Sequence, residues 1–232
     1  MRLDRYIANN TQYSRKEVKQ LLKQGLVQVN DNTVKNAGLH IAPDDLVQIN
    51  GELVESLGLG YFMLNKPEGA VCANSDADHP TIFDYVDEPH SGLHVAGRLD
   101  IDTTGLVLIT GDGQWSHQIT SPNKGCVKTY QVITEEFVTD TMIKKLESGI
   151  FLRPENIRTK EAKVEKVAAD EILLHISEGK YHQVKRMLHA VDNAVDSLHR
   201  LQIGPIKLDE QLAPGEYRPL TAAEIESVYD NA

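Results

Sequence analysis

Gly97-Arg98-Leu99-Asp100-Ile101-Asp102-Thr103-Thr104-Gly105-Leu106 is the stretch that decides how this chain folds and acts. Two carboxylates and an arginine stand in a short polar loop, and the apolar run Leu106-Val107-Leu108-Ile109 follows at once. A strand-forming run directly after an Asp-rich turn places acidic side chains at the rim of a sheet, where a rigid scaffold presents reactive groups. The plain reading of such a loop is a solvated turn. Two sharper readings fail on spacing. A calcium loop starting at Asp100 needs a bidentate Glu at its twelfth position, and Gly111 stands there. The nucleophile motif of haloacid-dehalogenase-type phosphatases needs a continuous apolar strand just before the first Asp, whereas Gly97 and Arg98 interrupt that position.

The rest of the chain narrows the class. Its 232 residues suffice for one large domain or two small ones. No apolar run approaches the roughly 20 residues of a membrane span, and Met1-Arg2-Leu3-Asp4-Arg5-Tyr6 lacks the apolar core of a signal peptide. Cys72 and Cys126 form neither a close pair nor a metal-ligand cluster. His79, His90 and His94 have no metal-binding spacing. A reduced, cytoplasmic protein without metal or cofactor is expected. The net charge of -10 excludes a nonspecific polyanion binder, but the charge is uneven. Residues 1–24 hold six basic and two acidic side chains, while residues 68–102 hold eight acids and one arginine. An RNA surface needs local positive potential, not a positive total.

Residues 1–58 read as a small module. Leu3, Tyr6 and Ile7 have helical spacing, and Ser14-Arg15-Lys16-Glu17 is a capping box for a second helix reaching Lys23, with Gly25 just beyond. Arg15, Lys16, Lys19 and Lys23 cluster on that helix. Strands fit Leu26–Asn30 and Leu46–Asn50, and Glu55 to Gly60 reads as a linker. Residues 59–232 read as α+β. Strands are expected at Tyr61–Leu64, His94–Ala96, Leu106–Thr110, Val127–Thr134, Ala162–Val167, Ile172–Ser177 and Ser197–Ile203. Helices are expected at Thr81–Val86, Val138–Glu147, His182–Val191 and Thr221–Tyr229. No Walker loop, dinucleotide glycine motif or internal repeat is present.

Four segments in order resemble the RsuA family of pseudouridine synthases. They are Leu64-Asn65-Lys66-Pro67-x-Gly69, the run from Gly97 to Leu106, Lys128-Thr129-Tyr130, and Glu178-Gly179-Lys180-x-His182-Gln183-Val184-Lys185-Arg186-Met187-Leu188. Arg2-Leu3-Asp4, Ser14-Arg15 and Gly25-Leu26-Val27-Gln28-Val29-Asn30 resemble a small RNA-binding domain shared with a small-subunit ribosomal protein. The resemblance implies an RNA-binding module at 1–58 and a catalytic domain with a mixed, mostly antiparallel sheet at 59–232. It implies Asp102 as nucleophile, Tyr130 as the ring that stacks on the target base and assists its proton loss, and Lys185 as the cation beside Asp102. The family usually has Arg at the position of Lys185, and Arg186 is the second candidate for that pairing. Asp100 and Lys66-Pro67 are implied to be loop architecture. Arg98, Lys128, Arg186, Arg15, Lys16 and Lys19 are the expected RNA contacts. The implied substrate is a uridine of small-subunit ribosomal RNA, uridine 516, met by a monomer as naked RNA or in an assembling particle. Alternatives are a large-subunit target or a non-catalytic RNA-binding assembly factor.

Overall fold

The computed structural model describes residues 2–11, 13–42, 44–54, 58–87 and 92–230. Residues 55–57 of the expected linker, and His90, lie outside them. The chain divides into two compact units: Met1–Gly60 with Glu88–His94, and Tyr61–Asp87 with Val95–Ala232.

The first unit packs two helices, α1 (Leu3–Asn10) and α2 (Arg15–Gln24), on strands β1 (Val27–Val29), β2 (Asn32–Thr33), β3 (Val47–Ile49) and β4 (Glu52–Leu53), in the order β2-β1-β3-β4. The capping box forms as read: the Glu17 N–H donates to Ser14 Oγ, and the Ser14 N–H donates to Glu17 at 2.7 Å. Gly25 closes α2 in the left-handed conformation, φ 75°. Asn30 and Asp31 have positive φ between β1 and β2, the geometry of a primed hairpin turn. Leu3, Ile7, Val18, Leu22, Val27 and Val47 form the core, so each helix buries one stripe. Arg15, Lys16, Lys19 and Lys23 remain exposed.

The second unit is built on a large sheet. Its strands are β5 (Tyr61–Lys66), β6 (His94–Ala96), β7 (Thr104–Thr110), β8 (Lys128–Thr134), β9 (Phe151–Leu152), β10 (Ile157–Arg158), β11 (Lys163–Lys166), β12 (Glu171–Ile176), β13 (Val195–Ile203), β14 (Ile206–Lys207) and β15 (Tyr217–Pro219). Its helices are α3 (Gly113–Thr120), α4 (Asp140–Glu147), α5 (Gln183–His189) and α6 (Ala222–Asp230). Among the described residues the main sheet runs β11-β12-β8-β13-β7-β5-β15, β14 and β6 pair at β13 and β7, and β9 with β10 forms a separate hairpin. Pairing along the main path is antiparallel except between β13 and β7, which run parallel, His199 opposite Thr104 and Arg200 opposite Gly105. At that junction the two backbones nearly touch. Gly105 has φ +99°, and a Cβ on it would lie 2.4 Å from the Arg200 carbonyl oxygen.

Several expectations are corrected. Thr81–Val86 is a single 3-10 turn, Ile82–Tyr85, because Thr81 and Asp84 cap each other across it. The helix expected from Val138 starts at Asp140, where Thr139 caps the Met142 N–H. The helix expected from His182 starts at Gln183, because His182 is left-handed, φ 47°. Helix α3 was not expected. Its Gly, Ser, His and Thr are poor interior helix formers, but Asp112 accepts from the Gln114 and Trp115 N–H groups, and Trp115 is wholly buried. The Trp115 indole N–H donates to the Ile225 carbonyl of α6 at 3.0 Å.

Candidate active site

The loop between β6 and β7 is pinned from below before any reactive group is placed. Lys66, fully buried at the end of β5, donates its ammonium to three carbonyl oxygens: Thr103 at 2.7 Å, Ile101 at 3.0 Å and its neighbour Pro67 at 3.0 Å. Burial pushes the Lys66 ammonium below the ordinary lysine range, opposed by nearby negative groups that include Asp102 and Asp100. The Gly69 N–H also donates to the Ile101 carbonyl, and the Thr103 N–H to that of Asp100. Arg200, 2 % exposed on β13, holds both ends of the same loop. It donates to Gly97 O at 2.6 Å and Leu106 O at 2.8 Å, and reaches the Tyr130 hydroxyl at 3.4 Å. These bonds leave the Asp102 side chain projecting into a cleft.

The opposite wall is the loop entering α5. Glu178 is buried and accepts from the Lys160 N–H and the Gln183 side-chain amide, each at 2.9 Å, and pairs with Lys180. Val184, Met187 and Leu188 bury the inner face of α5, which turns Lys185 outward to Asp102. Its Nζ lies 2.5 Å from Asp102 Oδ1 and 2.6 Å from Oδ2, and 4.0 Å from Asp100 Oδ2. The hydrogen bond from Lys185 holds the Asp102 carboxyl below the usual carboxylate range, against partial desolvation. His182 Nε2 stands 3.5 Å from Asp100 Oδ1. Tyr130, from β8, is nearly buried and lines the same cleft as Asp102, Arg98, Lys185 and Arg200, a space of about 880 Å³.

The structure therefore brings Asp102, Lys185, Tyr130 and Arg98 to one cleft. Arg186 goes elsewhere. It pairs with Glu155 and donates to the carbonyls of Arg153 at 2.9 Å and Tyr181 at 3.1 Å. Adjacent residues on a helix do not share a face, so only Lys185 meets Asp102. Lys128 corrects the expectation of a phosphate contact. Its side chain is buried, and its ammonium donates to Cys126 O at 2.8 Å and Ile119 O at 3.0 Å, ending α3 and bracing β8. Arg15, Lys16 and Lys19 belong to the first unit. Arg200, Tyr181 and the left-handed His182 were missed by sequence reasoning. The one available signal for Arg200 was its place on the strand face of buried Leu198. His79 pairs with Asp76, and among the described residues no cluster of His, Cys, Asp and Glu could hold a metal ion. No helix among them is long and apolar enough to cross a membrane.

The pairing has a pH signature. Asp102 is held low by Lys185, so its ionised form persists as pH falls through the ordinary carboxylate range. Lys185→Met removes the donor, and the Asp102 pKa rises toward its ordinary value. The acid limb of the single-turnover pH–rate profile then moves to higher pH. An acid limb unchanged in Lys185→Met shows that Lys185 does not set the ionisation of Asp102.

Comparison with known proteins identifies the family. The family model for RNA pseudouridylate synthases matches residues 60–190, and that for the S4 domain matches residues 1–47. Ribosomal small subunit pseudouridine synthase A of Haemophilus influenzae is 49% identical over 230 residues, covering 98% of this chain and 99% of its own. The protein of the same name from Escherichia coli K12 is 50% identical, covering 98% and 100%. A crystal structure of a pseudouridylate synthase superposes with a TM-score of 0.72 at 47% identity, over 98% of this chain and 99% of that one. With a cleft that joins Asp102 to Lys185 and relatives of this identity over nearly its full length, the chain belongs to the RsuA-type pseudouridine synthases and carries an S4 domain at its N-terminus.

Proposed function

We propose that this enzyme isomerises one uridine of small-subunit ribosomal RNA, uridine 516, with Asp102 as nucleophile. The observation that carries the reading is the Asp102 carboxylate, kept ionised by Lys185 at the mouth of a cleft walled by Tyr130. A carboxylate is a nucleophile at neutral pH and also a leaving group. The bond between the base N1 and the ribose C1′ breaks, the base turns, and a bond from its C5 to C1′ replaces it. The C5 hydrogen leaves as a proton and N1 gains one, so the net change is isomerisation. Tyr130 stacks on the base while it is detached, and Arg98 contacts the strand. The small-subunit target is supported by the relatives' names and their identity over nearly the full chain. We assign residues 1–58 to positioning the RNA and 59–232 to the chemistry, in a cytoplasmic monomer.

Tritium release from uridine-5-tritiated small-subunit RNA, offered naked and in assembling particles, tests the reading. Wild type releases tritium, with or without EDTA where the RNA stays folded. Release from large-subunit RNA alone changes the target, and release from neither leaves a binding protein with an enzyme's fold.

The exposed cations of α2 give a second test. Each phosphate contact to a single strand contributes a slope of about -0.7 in log affinity against log salt. Replacing Arg15, Lys16 and Lys19 together by Gln should flatten the salt dependence by roughly 2. An unchanged slope removes these three side chains from the RNA interface.

A further inference from the structure

Tyr181 and His182 stand on the rim of the catalytic cleft with their rings stacked, centroids 3.8 Å apart and planes 20° from parallel. His182 is the inner ring, 3.5 Å from the Asp100 carboxylate. Tyr181 is the outer one and is 74 % exposed. Burying such a ring against protein would be the ordinary fate of a tyrosine; here it is held out in water.

It is also held in place. His182 takes a left-handed backbone conformation, φ 47°, which is uncommon for a non-glycine residue and persists only where neighbours over-determine it. The neighbours are on both sides. The Lys180 N–H donates to Gln183 Oε1 at 2.8 Å, and the Gln183 amide donates to buried Glu178. The Tyr181 carbonyl accepts from Arg186 Nη1 at 3.1 Å. A ring fixed before its ligand arrives costs little ordering entropy on binding. Around it the cleft is lined by Arg98, by Lys180 paired with Glu178, and by Lys185 paired with Asp102. An open aromatic face at the mouth of this cleft suits a single nucleic-acid strand, whose every base offers a π-face for stacking.

We propose that Tyr181 is a stacking site for a nucleobase that flanks the target uridine in the RNA strand. The inference rests on the reading of Asp102 as acting on a uridine in RNA. Drawing the target out of its stack costs a few kcal/mol, and its neighbour loses a stacking partner in the same step. The Tyr181 face replaces that partner, so the flipped state is held open while the chemistry proceeds next to it at Asp102.

The test uses the full chain and a small-subunit RNA fragment carrying the target uridine. In separate copies of the fragment an abasic residue replaces each neighbour of the target in turn. Affinity is read by fluorescence anisotropy, and product by tritium release from the intact fragment. Tyr181→Ala should weaken binding of the intact RNA about 5- to 160-fold, the range of one base–aromatic stack. Tyr181→Phe should bind like wild type. One abasic position should weaken wild type by a similar factor and leave Tyr181→Ala no weaker than before. The stacking site is overturned if Tyr181→Ala binds intact RNA as wild type does, or if its loss multiplies equally with every abasic position. If wild type makes product and no position couples to Tyr181, the stacking site alone fails. If wild type makes none, from the fragment or from assembling particles, the reading of Asp102 fails and the stacking site with it.

Discussion

Asp102→Asn is expected to lower tritium release from small-subunit RNA by at least about 10³-fold, because on the proposed mechanism it removes the covalent nucleophile, whose route the remaining groups cannot replace. The substitution is nearly isosteric and keeps a hydrogen-bond acceptor for Lys185. It leaves untouched the Lys66 and Arg200 bonds that shape the loop. RNA affinity and thermal stability should therefore stay close to wild type while turnover disappears. A neutral amide cannot form and then release an ester-like adduct at neutral pH. Turnover reduced less than tenfold would mean that Asp102 orients the substrate and does not attack it. Parallel loss of affinity would instead mean that the carboxylate is part of the binding surface. Deamidation of the asparagine would restore aspartate slowly, so residual release that grows with storage is checked by mass spectrometry.

Much of this site was legible because its chemistry is local in sequence. The loop Gly97–Leu106 carries its own turn residues and its own strand, and it forms where it was read. The capping box at Ser14 was equally explicit, and it forms. The choice between Lys185 and Arg186 was not legible, since it depends on which face of α5 meets the core. Lys128 misled for a related reason. On β8 it shares a face with Tyr130 and Val132, but that face is buried, and a lysine on it must find carbonyl oxygens. The hairpin β9–β10 and strands β14 and β15 are two or three residues long, too short for any period to show.

Arg200 shows what such reasoning misses, and it makes the second large prediction. An arginine in a strand invites the reading of a surface cation, yet Arg200 is buried where three separate pieces of the site converge. Its guanidinium serves Gly97 O before the loop, Leu106 O after it, and the Tyr130 hydroxyl across the sheet. Arg200→Leu leaves those acceptors without a donor. Each buried acceptor stranded in this way costs about 1–3 kcal/mol, and leucine recovers part by apolar burial, so a net loss of roughly 3–5 kcal/mol is expected. At about 2–4 °C per kcal/mol for a domain of this size, the second unit should melt about 10 °C lower. Turnover at a temperature where the variant is folded should fall as well, by about 10²-fold, because a loop shifted by an ångström misplaces its reactive group. Arg200→Lys separates the two effects. One ammonium satisfies fewer of the acceptors than the forked guanidinium does, so stability should recover partly and turnover should remain low. A variant that melts with wild type would show that the carbonyls find other donors. A destabilised variant with full turnover would show that Asp102 is held by Lys66 and Lys185 alone, with Arg200 serving only the sheet.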